Sequence, residues 1–381
     1  MKAFKNANVY VEGKGIVNTN LTFDKTIIST TELYDNCEVI SLPNDAVVLP
    51  GFIDQHIHGA GGYDAMDGTF EALSTIANTV AMEGTTSFLA TTMTQSKENI
   101  NKALNAVRDY KALNLESGAN IVGVHLEGPF ISAKHKGAQP LEFIQKPSVE
   151  VFDAYNKESG NNIKIVSLAP EEEGSLELIS HLTKQGIVSS IGHSSCKYDD
   201  IAKALENGAS NVTHTYNAQS PLHHREIGVV GSALLIDDLK TEVICDTIHV
   251  SVPAIKLLVK SKPLDKLIMI TDAMRAKGLS DGVSELGGQT VYVKNGEARL
   301  EDGTLAGSVL KMNVAIKNMV EKAKVPLTQA VDYATINSAK QLKIDDKVGS
   351  IKNGKNADFT VLNSNYEVLL TIRNGNIIYK K

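Results

Sequence analysis

Tryptophan is absent from this sequence of 381 residues, aromatic side chains make up only 5% of it, and there are just three cysteines. The scarcity of aromatic residues leaves little for a platform on which nucleic-acid bases could stack. Basic residues are outnumbered, 38 against 44 acidic ones, so a formal charge of −6 offers no broad positive surface to a phosphate backbone. We therefore expect no nucleic-acid partner.

Disulfides and long apolar segments are also missing. Cys37, Cys196 and Cys245 are odd in number and widely separated, which is not the pattern of a disulfide framework. The first 15 residues mix charged and apolar side chains and lack the apolar stretch of a signal peptide. No run approaches the ~20 apolar residues that cross a bilayer. These absences predict a soluble, cytoplasmic protein without a membrane partner.

The chain nevertheless has enough apolar residues, 42%, to bury a large core. Its short apolar runs alternate with segments in which apolar residues recur every three or four positions, a pattern typical of βα units and a parallel sheet. Eight runs predict eight strands, at residues 47–54, 86–91, 121–126, 163–168, 187–191, 211–214, 242–246 and 267–271. Eight strands with crossover helices favour a closed (β/α)8 TIM barrel, although an open doubly wound sheet has similar local patterns.

The two ends of the chain differ from its middle. Residues 4–41 and 349–381 contain short strand-like runs with Gly-containing turns between them. Each end has too few strands to be stable alone. We therefore predict that residues 1–50 and 345–381 pair into one small β-sandwich domain, and that residues 51–344 form the barrel as the catalytic domain.

The strongest local motif is PGFIDQHIHG at residues 50–59. In an extended strand His56 and His58 point to the same side, so the pair offers two imidazoles to one ion. An isolated His-x-His is more often a hydrogen-bonded pair at a sheet edge. Here the pair follows an apolar strand and precedes a Gly-rich loop, which favours a metal site.

Three more predicted strands end in residues that commonly bind metals. Glu127 lies in HLEGPF, His193 in SIGHSS and His214 in NVTHTYNA. Because the carboxyl ends of barrel strands meet at one face, these side chains are expected to converge. Two His and one Glu suffice to hold a catalytic divalent ion with a position open for water. His125 could reach the same site or be a core histidine, and both alternatives stay open.

Asp272 ends the eighth run, in ITDAM. A carboxylate beside a bound ion can take a proton from water and return it to a leaving group, although Asp is also a favoured residue at the start of a helix. Arg225 lies in the loop HHRE, which by itself is typical of a solvated turn. Near a metal site, Arg225 becomes a candidate clamp for an anion.

Together with the tail GSIKNGKNADFTVLN, these motifs resemble the N-acetylglucosamine-6-phosphate deacetylase family of the amidohydrolase superfamily over nearly the whole chain. The resemblance implies a (β/α)8 barrel with a small β-sandwich built from both termini. It also implies deacetylation of N-acetyl-D-glucosamine 6-phosphate to D-glucosamine 6-phosphate and acetate, in amino-sugar metabolism. The water would be activated by a divalent ion, with Asp272 as acid and base.

The resemblance further implies the roles of individual residues. Glu127, His193 and His214 would be metal ligands, and His56 and His58 would be the extra pair of members that hold a second ion, bridged by Glu127. One or two ions of zinc, iron, manganese or cobalt per subunit are compatible with such a site. Contacts to the sugar phosphate are implied for Asn217, Ala218, Arg225, His249, Gln139 and Leu305.

Two of these contacts have particular consequences. In the family the arginine matching Arg225 reaches into the site of a second subunit, so the resemblance implies a homodimer. Gln139 stands where many members have a histidine that contacts the acetamide. Glutamine can donate a hydrogen bond but does not titrate, so polarisation of the carbonyl would depend more heavily on metal.

Two alternative functions remain. Another barrel hydrolase, acting on a cyclic amide or an aminopurine, would share the His-x-His and the final aspartate. A cyclic-amide hydrolase usually carries a bridging lysine after the fourth strand, where this chain has SLAPEEEG. A non-enzymatic binding barrel would not need five ligand-type residues at one face, which disfavours it.

Overall fold

The computed structural model describes all 381 residues, Met1 to Lys381. Both ends of the chain contribute to one sheet. Its strands are β1 (Lys2–Val11), β2 (Gly15–Phe23), β3 (Ile27–Ser29), β4 (Glu38–Val39), β5 (Val47–Pro50), β19 (Phe359–Leu362), β20 (Val368–Arg373) and β21 (Asn376–Lys380). Their order is β21-β20-β19-β5-β1-β2-β3, with β4 paired to β1. Phe4, Phe23 and Phe359 pack against one another in its core.

Eight parallel strands form the middle of the chain. In spatial order they are β6 (Phe52–Ile57), β9 (Thr85–Thr92), β10 (Asn120–Glu127), β11 (Ile163–Leu168), β12 (Val188–Ile191), β13 (Asn211–Val212), β14 (Lys240–Ile244) and β15 (Leu267–Ile270). The first and last strands meet where Asp272 N donates to His56 O at 2.8 Å and His58 N donates to Ala273 O at 2.9 Å. The predicted TIM barrel with a separate domain from both termini is confirmed. A two-stranded ribbon, β7 (Gly59–Ala60) and β8 (Tyr63–Asp64), follows β6.

Ten helices surround the strands. They are α1 (Phe70–Ala81), α2 (Lys97–Ala112), α3 (Val149–Glu158), α4 (Ser175–Lys184), α5 (Tyr198–Glu206), α6 (Gly228–Leu235), α7 (Val252–Ser261), α8 (Met312–Glu321), α9 (Leu327–Tyr333) and α10 (Ile336–Gln341). In α2 the side chains of Ile100, Leu104 and Val107 recur at helical spacing and are buried, and Ser96 caps its first turn by accepting from Asn99 N. None of these helices combines the length and apolar composition needed to cross a bilayer.

The predicted run 47–54 is split between the two sheets. Its first half, β5, pairs antiparallel with β19, and its second half, β6, begins the barrel. The chain crosses at Gly51, where an added Cβ would lie 2.2 Å from Thr86 Oγ1. A side chain is therefore excluded at the point where the terminal sheet meets the barrel.

A small antiparallel sheet was not predicted from the sequence. Strands β16 (Gly282–Leu286), β17 (Gln289–Lys294) and β18 (Glu297–Arg299) lie between β15 and α8. The sheet contacts the loop that follows β10, because Gln289 Nε2 donates to Ala138 O at 2.6 Å. It also contacts the end of β9, where Gln95 Nε2 donates to Gly287 O at 3.1 Å. The three-stranded sheet therefore covers one side of the barrel mouth.

Candidate active site

Six predicted ligand and acid residues lie at the carboxyl ends of the barrel strands. They are His56 on β6, His58 after it, Glu127 at the end of β10, His193 after β12, His214 after β13 and Asp272 after β15. The backbone at His193, His214 and Asp272 is left-handed, with φ of 48°, 27° and 48°. His and Asp enter this region more readily than most residues, and such conformations concentrate at functional sites. The local strain turns these side chains into the barrel mouth.

Glu127 is the centre of the cluster. Its two carboxylate oxygens lie close to the Nε2 atoms of four imidazoles. The distances from Oε1 are 3.3 Å to His56, 3.3 Å to His193 and 3.1 Å to His214, and Oε2 is 3.2 Å from His58. A single buried carboxylate thus touches ligands contributed by β6, β12 and β13, which is the arrangement expected of a bridging ligand.

Asp272 faces the His-x-His pair from the other side. Its Oδ1 lies 3.2 Å from His58 Nε2 and 3.4 Å from His56 Nε2. The Asp272 side chain is 12% exposed, against 2% for that of Glu127. It also lines the cavity at the barrel mouth. Glu127 lines the same cavity but is less exposed, so Asp272 is the more accessible of the two carboxylates.

The donor set fits a divalent metal. Three groups of three have ligand atoms within 4.8 Å of one another. Two of them face the cavity, namely Glu127 with His193 and His214, and His56 with His58 and Asp272, and the third, His56 with His125 and Glu242, lies beneath. His193 Nε2 and His214 Nε2 face each other at 3.1 Å, and the buried His56 Nε2 has no hydrogen-bond partner. Converging imidazole nitrogens and carboxylate oxygens are the ligands preferred by zinc, iron, manganese and cobalt.

The electrostatics of the cluster favour ionised carboxylates. Burial raises the pKa of Glu127, but the surrounding imidazoles outweigh burial and hold this pKa well below its usual value. Burial also raises the pKa of Asp272, but the nearby His56 and His58 outweigh burial and lower this pKa to about 2. Burial lowers the pKa of His58, while Asp272 and Glu127 raise it to about 10 overall. Because imidazoles bind metals in the neutral form, metal binding here releases protons.

His125 lies beneath this cluster and is a core histidine. It is fully buried, its Nδ1 donates to Gln55 O at 3.1 Å, and its Nε2 accepts from Ser167 Oγ at 2.7 Å. Burial lowers the pKa of His125 to about 3, so the ring stays neutral. Of the two alternatives left open by the sequence, the structure supports the core position.

A cavity of about 210 Å³ opens above the cluster. Among the predicted substrate contacts, those that line it are Asn217, Ala218, His249, Gln139 and Leu305. His249 is held by Asp246, whose Oδ2 accepts from its Nδ1 at 2.5 Å. Four larger cavities contain none of the cluster residues, and two of them, of about 660 and 350 Å³, lie between the barrel and the terminal sheet.

Arg225 is separate from the cavity of its own chain. It is exposed in the loop before α6, where its Nη1 lies 2.8 Å from His224 Nε2. The structure therefore does not bring Arg225 together with the other predicted contacts.

Gln139 has both ends of its amide engaged. Its Nε2 donates to Glu127 Oε2 at 2.7 Å, and its Oε1 accepts from Thr94 N at 2.8 Å. The side chain is buried. Gln139 thus holds the central carboxylate in place while forming part of the cavity wall.

Sequence reasoning missed Glu242 and two apolar residues of the cavity wall. Glu242 is buried on β14 and accepts from His56 Nδ1 at 3.1 Å. A carboxylate directly before the apolar Val243 and Ile244 of a predicted strand was the available indication, because such a group is costly to bury without partners. Met93 and Leu286 line the cavity. No motif marked them, since both look like ordinary core residues.

The sequence of this chain is similar to those of known proteins. The chain matches the amidohydrolase family over residues 47–378. It is 49% identical over 342 residues to an N-acetylglucosamine-6-phosphate deacetylase of Bacillus subtilis (strain 168), covering 89% of this chain and 86% of that protein. It is 36% identical over 325 residues to an N-acetylgalactosamine-6-phosphate deacetylase of Escherichia coli O157:H7, covering 85% and 86%.

A solved structure extends the similarity to the whole fold. The crystal structure of an N-acetylglucosamine-6-phosphate deacetylase from Pasteurella multocida superimposes with a TM-score of 0.93 at 32% sequence identity. The match covers 99% of each chain. Both the terminal sheet and the barrel are therefore shared.

Proposed function

This chain belongs to the amidohydrolase family, and from that membership we propose that it hydrolyses N-acetyl-D-glucosamine 6-phosphate to D-glucosamine 6-phosphate and acetate. The observation that carries the proposal is the contact of Glu127 with four imidazoles, directly below a cavity that Asp272 lines. The cavity volume of about 210 Å³ is below the roughly 300–1,000 Å³ of drug-sized ligand sites, which suits a single sugar.

We propose that Glu127, His193 and His214 hold one divalent ion and that His56 and His58 hold a second, with Glu127 between them. Zinc, iron, manganese and cobalt all suit these ligands. When bound, the metal acts as a Lewis acid that lowers the pKa of water and polarises the acetamide carbonyl. Gln139 supports this site by fixing Glu127 through its Nε2, 2.7 Å away.

Asp272 is the proposed general base and acid. Its carboxylate accepts a proton from the attacking water, whose oxygen forms the new bond to the acetyl carbon. The C–N bond then breaks, and Asp272 returns the proton to the departing nitrogen, because an amine is a poor leaving group until it is protonated. The low pKa of Asp272 means that it is ionised at neutral pH, which is the form that can accept a proton.

The remaining cavity residues bind the sugar phosphate in this proposal. Because Asp246 accepts from Nδ1 of His249, the Nε2 atom of that ring is free to face a ligand. Asn217, Ala218 and Leu305 form the adjoining wall. Met93 and Leu286 add apolar surface, which suits the methyl group of an acetyl substituent.

We further propose that the protein is a homodimer in which Arg225 binds the phosphate in the neighbouring subunit's site. The exposure of Arg225 and its distance from its own cavity support this arrangement. Mixing R225A with D272N tests it. Hybrid dimers contain one complete site, so activity should return on mixing two inactive variants. Mixtures that remain as inactive as their components would contradict a shared site.

The domain boundaries are also a proposal: residues 1–50 with 345–381, and residues 51–344. The chain passes from one core to the other between Val348, which packs with barrel residues, and Ile351, which packs with the terminal sheet, a few residues after the proposed boundary at 344/345. We place the protein in the cytoplasm, because its phosphorylated substrate carries a charge that is costly to move into a bilayer.

Release of acetate from N-acetyl-D-glucosamine 6-phosphate tests the proposed function. The unphosphorylated sugar and N-acetyl-D-galactosamine 6-phosphate serve as comparison substrates. The second is included because one relative is named an N-acetylgalactosamine-6-phosphate deacetylase. We expect the phosphorylated glucosamine derivative to have the highest kcat/KM. Equal rates with and without the phosphate would contradict the proposed phosphate contacts. Hydrolysis of a cyclic amide or deamination of an aminopurine at a higher rate would favour the alternative function.

A further inference from the structure

Glu242 is a carboxylate that the proposed chemistry does not use, yet it accepts four hydrogen bonds directly beneath the metal site. It lies on β14 and is fully buried. Its Oε1 accepts from Gln55 Nε2 at 2.7 Å and from Asn211 Nδ2 at 3.3 Å. Its Oε2 accepts from His56 Nδ1 at 3.1 Å and from His214 N at 3.2 Å. Glu242 therefore contacts two of the proposed metal ligands from below.

These contacts belong to a closed ring of hydrogen bonds inside the barrel. The ring runs through side chains of six strands, in the order Gln55, Glu242, Asn211, Ser190, Thr213, Ser167, His125 and back to the carbonyl of Gln55. Barrel interiors are usually filled by Val, Ile and Leu. Buried polar groups need partners, and both oxygens of Glu242 have them, whereas Gln55 Oε1 and Asn211 Oδ1 in the same ring do not.

The contact with His56 has a specific chemical effect. A carboxylate can only accept, so Nδ1 of His56 must carry a proton, and the lone pair of the neutral ring is then on Nε2, facing Glu127 and Asp272. Among the other ligands, His193 donates through Nδ1 to the neutral carbonyl of His135, at 2.9 Å. Nδ1 of His58 and Nδ1 of His214 have no partner. His56 is therefore the one ligand whose outer nitrogen is bound to an anion.

We propose that Glu242 is a positioning residue that fixes the tautomer and orientation of His56 and so strengthens metal binding in the half of the site formed by His56 and His58. A carboxylate behind a metal-binding histidine makes the ring a stronger ligand, and removing such partners typically lowers metal affinity about 10–100-fold. The other half keeps its side-chain ligands, Glu127, His193 and His214. This inference rests on the proposed metal site, but not on the identity of the substrate.

The test is a titration of the metal-free full-length protein with Co2+ alone, followed by visible absorbance and calorimetry. For the wild type we expect two equivalents. In E242Q one equivalent should weaken about 10–100-fold while the other keeps its affinity. H58N and H193N identify which equivalent belongs to which half, because each removes a ligand from one half only. The weakened equivalent in E242Q should be the one that H58N also weakens.

S167A is the matched control. Ser167 belongs to the same ring, but its side chain hydrogen-bonds to neither Glu242 nor a proposed metal ligand. S167A keeps the backbone pairing of Ser167 with Glu127 and should leave both affinities unchanged. The inference is overturned if E242Q binds both equivalents like the wild type, if both weaken equally, or if S167A weakens the same equivalent. Should E242Q fail to fold by circular dichroism, E242D decides. Its carboxylate is withdrawn by one methylene from His56, and an unchanged affinity would overturn the inference.

The titration separates this inference from the proposed function. A wild-type protein that binds both equivalents but releases no acetate contradicts the deacetylase proposal and leaves the role of Glu242 standing. If the wild type releases acetate but E242Q binds metal as the wild type does, the deacetylase proposal stands and the role of Glu242 is contradicted.

Discussion

Glu242 and Asp358 are both buried carboxylates, but their pKa values are shifted in opposite directions. Glu242, beneath the metal site, accepts four hydrogen bonds. Burial alone raises its pKa, yet His56, His125 and Gln55 together outweigh burial and the net pKa is lowered. Asp358, where the terminal sheet meets the barrel, accepts from Asn374 N. Burial raises the pKa of Asp358 to about 6.

The difference comes from the donors that each region provides. Arg373 lies near Asp358, but its guanidinium donates to the carbonyls of Gly118 and Leu115 and not to the carboxylate. At the barrel mouth the donors instead converge on the carboxylates. We infer that the barrel mouth is built to keep charge ionised for chemistry, whereas the junction buries charge as a cost of joining two domains. Substitutions in the two regions should therefore affect different properties.

The largest effect is expected for D272N, at the barrel mouth. Asparagine preserves the shape of Asp272 but cannot accept the proton, so turnover should fall about 10³-fold or more. Steady-state acetate release measures this loss. Metal content and the free energy of unfolding should stay close to those of the wild type. A D272N variant with substantial activity would contradict the role of Asp272.

A smaller and opposite effect is expected for D358N, at the junction. In the folded wild type Asp358 keeps its proton up to a pH of about 6, whereas in the unfolded chain it loses it near 3.9. The free energy of unfolding therefore falls as the pH rises between these values, and the penalty is complete above them. D358N lacks the ionisable group and should be more stable than the wild type by about 1–2 kcal/mol at pH 8.

Urea denaturation at pH 5 and pH 8, with both proteins free of metal, measures this difference. The advantage of D358N should be larger at pH 8 than at pH 5, and kcat/KM should not change. An advantage that is equal at the two pH values would show that the charge of Asp358 is not the cause. A loss of activity would show that the two regions are coupled and would contradict their separate roles.

Much of the fold could be predicted because barrel strands are local patterns. The run at residues 163–168 matches β11, and the carboxyl ends of such runs indicated where Glu127, His193 and His214 would meet. The run at 47–54 shows the limit. Only the turn-type dipeptide Pro50–Gly51 separates its two apolar halves, and periodicity alone could not show that β5 and β6 belong to different sheets.

Contacts between distant strands were harder to predict from the sequence. Glu242 and His56 are 186 residues apart, and nothing in either motif indicates the hydrogen bond between them. The sheet of β16, β17 and β18 was missed although its strands alternate, because its buried residues pack in a small separate cluster around Met274 and Ala306. Residues such as Leu286 acquire a place at the cavity only through that packing.

Metal dependence is the central claim, and one measurement tests it most directly. The protein is freed of metal with a chelator, and acetate release from N-acetyl-D-glucosamine 6-phosphate is followed as Zn2+, Mn2+, Co2+ or Fe2+ is restored and the bound metal per chain is counted. We predict no turnover without metal and a rate that rises with occupancy for at least one of these ions. Full activity in protein with no bound metal would contradict the account.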